Sequence, residues 1–300
     1  RLGSEPRRMH PLVVSGLAVG GWNLAGFTAT ALTGTHKLTD ITGTSAFAVS
    51  ALASLGLLAS KRGLKASLSP RPIMLSVCVT AWAARLGGYL FDRIRKSHED
   101  PRLKYMFRKE GEPMLTGPSA FPLKLLNFWS IQALWAWTSM LPVTMAIAAA
   151  GDPKKVMRTA PRSISSLALG IGFVGFSTGF LVETLADSQK SQFKNDVTNP
   201  RRDKWCDQGL WSISRYPNYL GEMTVWWSLF VMANPLAPAW TVASPVFVTF
   251  LLTRVSGIPL IEKRYDSKYG NEEEYKQYKA KTPMLVPHLA SIMKYISDAA

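Results

Sequence analysis

The residues with most chemical content are ionisable side chains set against apolar sequence. Arg215-Tyr216-Pro217-Asn218-Tyr219-Leu220-Gly221-Glu222 runs directly into Met223-Thr224-Val225-Trp226-Trp227. Charge at the mouth of a membrane helix is costly and is kept for a partner or a ligand. The plainer reading is an interfacial anchor, with Tyr and Trp at headgroup depth and Arg snorkelling. Arg215 offers a planar fork of donors matched to phosphate or carboxylate. Pro217 and Asn218 open a helix whose first N–H groups make an anion site. Gly221 permits close approach, and Glu222 lies one turn beyond Asn218.

Three further groups accompany this motif. Arg85, Tyr89 and Asp92 recur at helical spacing near the end of an apolar stretch, with Arg85 deep enough to turn inward to an anion. Glu183, Asp187, Lys190 and Lys194 form one helical stripe at the end of another. An ordinary capped helix end accounts for the lysines. The alternative is a cofactor wall, in which Glu183 accepts ribose or amide hydrogen bonds and the lysines meet phosphate. The last group is Arg254 followed by Gly257-Ile258-Pro259-Leu260-Ile261-Glu262-Lys263-Arg264-Tyr265, a charged helix with Tyr275 and Tyr278, and Thr282-Pro283-Met284-Leu285-Val286-Pro287. It reads as a lid returning to the membrane surface. The loop Glu99-Asp100-Pro101-Arg102 reads as mixed charge in solvent.

The elements that must position these groups are helices. Windows of about 19 residues pick out apolar spans near 12–32, 43–60, 72–91, 125–150, 163–186, 219–233 and 237–258. Lipid leaves no free backbone group satisfied, so an all-α, polytopic membrane protein of about seven spans is expected. Gly175 and Gly179 share one face and suit close helix packing. Alternation gathers the segments 92–124, 187–218 and 259–300 on one side, with about twice the Lys and Arg of the other, the cytosol-like side. The whole of 1–300 reads as one transmembrane domain, with its core motifs in 82–300.

Composition narrows the classes. The net charge is +15, but basic residues are spread over every loop, which speaks against nucleic acid and for anionic headgroups and a phosphorylated cofactor. Two cysteines, Cys78 and Cys206, and four scattered histidines show no metal-ligand spacing. The start at Arg1 points to processing, so an endoplasmic reticulum, plastid or mitochondrial membrane is the expected location.

The chain resembles the steroid 5-alpha-reductase superfamily, and within it a branch of small polytopic proteins of unknown function. The resemblance rests on Arg85-Leu86-Gly87-Gly88-Tyr89, on Glu183 with Asp187 and Lys190, on Gly209-Leu210-Trp211 leading to the Ser214–Glu222 motif, and on Gly257–Tyr265. It implies seven helices around NADPH and hydride transfer to a carbon–carbon double bond conjugated with a carbonyl, in an apolar substrate drawn from the bilayer. By position, Asn218 and Glu222 would meet the nicotinamide region. Arg85, Asp187 and Lys194 would lie along ribose and diphosphate, with Arg254 a further phosphate contact. The family's glutamate on the second span has no counterpart in 43–60, and Trp82 stands for its tyrosine. Glu222, Tyr89 and Tyr219, or Tyr216, are the remaining candidates for the acid. Two other readings stay open. One is an inactive subunit of a larger membrane complex; the other is an isoprenylcysteine-type methyltransferase using S-adenosylmethionine, which shares an Arg-x-Pro-x-Tyr-x-Gly pattern.

Overall fold

The computed structural model describes residues 9–97, 105–109, 111–150, 152 and 162–299. The loop Glu99-Asp100-Pro101-Arg102 and the basic residues Lys154, Lys155 and Arg158 lie outside them. Among the described residues the only regular elements are helices. The chain divides into two compact units, one of 1–169 with 230–244 and one of 170–229 with 245–300.

The first unit holds α1 (Pro11–Thr33), α2 (Thr39–Arg62), the single turn α3 (Leu64–Ser67), α4 (Pro70–Ser97), α5 (Leu123–Ser139) and α6 (Leu141–Ala149). His10 caps α1, its Nδ1 accepting from the Leu12 N–H at 3.3 Å, and Pro11 follows at the first helical position, where its missing N–H costs nothing. The second helix packs against both α1 and α4. Phe47 of α2 stands at its core, edge-on to Trp82 at 4.8 Å and to Trp135 at 4.7 Å. Some of the buried polar side chains pair with one another. Ser15 and Ser50 hydroxyls lie 2.7 Å apart, and the Gln132 amide donates to Asn23 Oδ1 at 3.3 Å. In lipid such bonds satisfy groups that have no water to turn to.

The second unit is built on α7 (Arg162–Asn195), which enters it at Gly170, and α8 (Pro217–Ala233), which leaves it at Leu229. After these come α9 (Ala243–Phe250), a π-helical turn at Leu251–Val255, α10 (Ile258–Tyr269), α11 (Glu273–Lys281) and α12 (Leu289–Ala299). At 34 residues α7 is about 51 Å long. That exceeds the roughly 30 Å of hydrocarbon, so its polar end from Glu183 onward continues past an apolar span.

The spans differ in number from the seven expected. Among the described residues, five helical segments are long and apolar enough to cross a membrane: Pro11–Thr33, Thr39–Arg62, Pro70–Arg95, Ser163–Asn195 and Ala239–Tyr269. A sixth is the pair α5 and α6, bent by 47° where Pro142 enters the first turn of α6. The expected span at 219–233 is instead a helix of 17 residues, about 26 Å long. It is apolar but falls at the lower limit of what crosses a bilayer.

Candidate functional site

Small residues set the geometry of the second unit. A Cβ on Gly179 would come within 2.8 Å of the Gly221 carbonyl oxygen, and one on Gly221 within 2.7 Å of the Gly179 carbonyl oxygen and the Glu183 nitrogen. Helices α7 and α8 therefore meet backbone to backbone. One turn away, a Cβ on Gly175 would sit 2.5 Å from the Ser228 hydroxyl. Gly175 and Gly179 do share the packing face expected of them, and Gly221 answers them from α8.

That close seam carries acidic and amide groups at one end. Glu183, Asp187 and Glu222 are 3%, 6% and 8% exposed. The Asn218 side-chain amide, one residue into α8, donates to Asp187 Oδ1 at 3.4 Å. Glu222 Oε1 accepts from the Trp226 indole N–H at 2.8 Å, one turn along the same helix. The Asn218 Oδ1 is buried and has no hydrogen-bond partner among the described residues. Acidic side chains this deep need hydrogen-bond partners within reach. The seam is thus rich in acceptors and suited to hydroxyl or amide donors.

The expected cations are placed differently from one another. Lys190 lies over the Trp211 ring, 4.4 Å from its centroid, and Lys194 donates to the Lys204 carbonyl. Trp211 is fixed in turn by its indole N–H, which donates to the Ala186 carbonyl at 2.9 Å. Just before it, Gly209 takes a left-handed φ of 59°, and a Cβ there would meet the Gln189 side chain at 2.5 Å. Arg254 is exposed on the π-helical turn. The guanidinium of Arg215 bonds through Nη1 to Glu262 Oε1 at 2.7 Å, so its readiest partner is a protein carboxylate rather than a cofactor phosphate.

That ion pair belongs to a clamp that sequence reasoning missed. Glu262 also accepts from the Tyr216 hydroxyl at 2.5 Å and from Lys279 at 2.8 Å, and Lys279 reaches Asp266 at 2.7 Å. Trp205 packs against Tyr269, Tyr275 and Tyr278 with ring centroids 5.4, 5.0 and 6.2 Å away. The Tyr278 hydroxyl donates to the Trp211 carbonyl at 2.8 Å. Burial first, and then the neighbouring carboxylate Glu262, pushes the Tyr216 hydroxyl far above the usual phenol range. Burial raises Tyr275 and Tyr278 in the same direction. Burial works against the charge on Lys279, yet its hydrogen bonds to Asp266 and Glu262 carry it above the ordinary lysine value. The hollow among these rings is about 10 Å³, the room of one water.

The clamp pins the returning segment. Arg215 and Tyr216 backbone N–H groups donate to the Pro283 and Met284 carbonyls at 2.9 and 3.1 Å, and the Ser214 hydroxyl donates to the Leu285 carbonyl at 2.7 Å. The segment expected to act as a lid is therefore bonded alongside the approach to α8. Its signal in sequence is the aromatic spacing Tyr265, Tyr269, Tyr275 and Tyr278, of which the last two fall in the segment read above as a charged helix.

The second unit brings together Glu183, Asp187, Asn218 and Glu222. Tyr219 stacks on Tyr216, ring centroids 5.9 Å apart. Arg85 and Tyr89 stand on α4 of the first unit, both half-buried, and Trp82 on the same helix is fully buried in the aromatic core.

The chain belongs to a family described as protein of unknown function (DUF1295), whose model matches residues 26–282. No curated protein and no solved structure matches it. With its apolar helices, the chain is a polytopic, all-α integral membrane protein of that family.

Proposed function

We propose that this membrane protein is an NADPH-dependent reductase of a carbon–carbon double bond in an apolar, enone-like lipid or steroid-like substrate that enters from the bilayer. The observation that carries the reading is the buried Asn218 Oδ1 beside Asp187 at the glycine seam, an acceptor without a donor among the described residues. The motifs shared with the steroid 5-alpha-reductase superfamily supply the rest of the support.

The residues fit one end of NADPH well. A carboxamide carries two N–H donors and ribose carries hydroxyls, and Asn218, Asp187, Glu183 and Glu222 offer acceptors at that seam. For the diphosphate, Lys190 over Trp211 and the exposed Arg254 supply positive charge. Arg215 fits less well, since Glu262 holds it. When bound, the nicotinamide supplies a hydride, and the protein's work is to orient and to exclude water. Reduction also requires a proton for the second carbon. Glu222 or Tyr219 in this unit is the side chain proposed to hold it.

Thermal shift of the purified chain with NADPH, S-adenosylmethionine and no ligand tests the reading, because a ligand stabilises the state it binds. NADPH is expected to raise the melting temperature of the parent, and Asn218→Ala to lose that rise while melting near the parent without ligand. A rise with S-adenosylmethionine alone would replace the reductase by a methyltransferase. A rise with neither ligand would leave an inactive subunit as the reading.

A further inference from the structure

Beyond the seam and the clamp, the second unit ends in a short helix with an uncovered apolar side. Leu289 is 73% exposed and Met293, one turn on, 65% exposed, while Val286 just before the helix is 72% exposed. Ile292 falls on the same side by its spacing. Ser291 stands about 200° round the helix from Leu289. Helix α12 has 11 residues and is therefore about 16 Å long. It is too short to cross roughly 30 Å of hydrocarbon.

The place where this helix is tethered says what lies against it. Thr282–Leu285 is bonded along Ser212–Tyr216, the polar approach to α8, whose apolar run begins at once after it. Four Cα-to-Cα steps lead from Leu285 to Leu289, a reach of at most about 14 Å. In the same unit α7 turns Ile171, Val174 and Leu181 outward, each more than half exposed, as a side chain facing lipid would be. The net charge of +15 adds attraction to anionic headgroups.

We infer that α12 lies in the plane of the bilayer surface, with Leu289, Ile292 and Met293 sunk among the outer acyl segments. Such helices bury their apolar side about 5–10 Å into the headgroup boundary. The partner is the lipid surface itself. The helix anchors the end of the clamped segment.

Single cysteines in the otherwise full chain test this. Leu289→Cys, Met293→Cys, Gln277→Cys and Val174→Cys are each labelled with nitrobenzoxadiazole and reconstituted in vesicles of phosphatidylcholine and phosphatidylglycerol. Cys78 and Cys206 are buried, so the labelled parent sets the background. Lipids carrying a spin label high on the acyl chain should quench the 289 and 293 probes more strongly than lipids labelled near the chain end. The probe on exposed Gln277 of the polar α11 should respond to neither, and quenching of the Val174 probe confirms insertion. Adding Met293→Glu should return the 289 probe toward the behaviour of 277. Probes at 289 and 293 that match 277 overturn the inference. So does a disulfide that joins two chains through Met293→Cys when that variant is left unlabelled in the same vesicles, since a second copy would then cover the face.

Discussion

At the scale of residues, the structure gives Arg215 a carboxylate partner. Its sequence context offers a fork of donors for phosphate or carboxylate, for which lysine is a poor substitute. The contact formed is a single one, Nη1 to Glu262 Oε1 at 2.7 Å, in a site where the two side chains are 12% and 17% exposed. Removing one member of a partly buried pair leaves the other uncompensated, but Glu262 retains Lys279 and Tyr216. Arg215→Ala is therefore expected to cost about 1–3 kcal/mol, the range for a hydrogen bond to a charged group. Arg215→Lys should lie between the two, because one point charge can replace one contact. Thermal shift in detergent measures the order parent, lysine, alanine. Proteolysis should cut near Pro283 sooner in the alanine variant. A larger loss with lysine than with alanine would contradict the single-contact account.

At the scale of elements, what could be read from sequence was periodicity, and what could not was contact across the chain. Apolar windows located α1, α2, α4 and most of α7, because the period of a lipid-facing helix is written locally. Gly175 and Gly179 were legible for the same reason: four residues apart is one face. Nothing in the sequence says that Gly221 meets Gly179, or that Glu262 answers Arg215 47 residues away. The clamp was missed because its tyrosines alternate with charges and resemble a solvated helix until Trp205 arrives from another segment. The same seam yields a contrast. Gly179→Ala and Gly221→Ala each force a methyl against a backbone oxygen that cannot turn aside, and overpacking of this kind costs about 1–3 kcal/mol. Gly170→Ala, on the same helix with open space around its Cβ, should be neutral or stabilise by up to about 1 kcal/mol. Unfolding of the three purified variants should separate them, with Gly170→Ala on the other side of the parent. Equal melting of all three would mean that α7 and α8 do not touch at these glycines.

At the scale of the whole molecule, two terms compete for how the chain is held to its membrane. A charge of +15 draws it to anionic lipid, and a mean hydropathy of only +0.05 reads as that of a soluble protein. That average conceals a partition. Each of the five long segments contains an 18-residue window of mean hydropathy 1.4 to 1.7. Surface attraction amounts to about 1 kcal/mol per Lys or Arg near the lipid and is screened within about a Debye length of 8–10 Å at physiological salt. Apolar side chains at a helix centre contribute about 0.3–0.6 kcal/mol each, and salt leaves them in place. Over several helices the second term dominates. Concentrated salt and alkaline carbonate washes of membranes are therefore expected to leave the chain in the pellet, with detergent alone releasing it. Replacing exposed Leu167, Ile171 and Val174 of α7 by Glu should cut the amount inserted, because these three face outward on an apolar span, where an unpaired charge is costly. Replacing the same number of exposed lysines by Glu should weaken only attachment that salt already weakens. Recovery of the parent in the salt wash would show that charge, not the apolar helices, holds it.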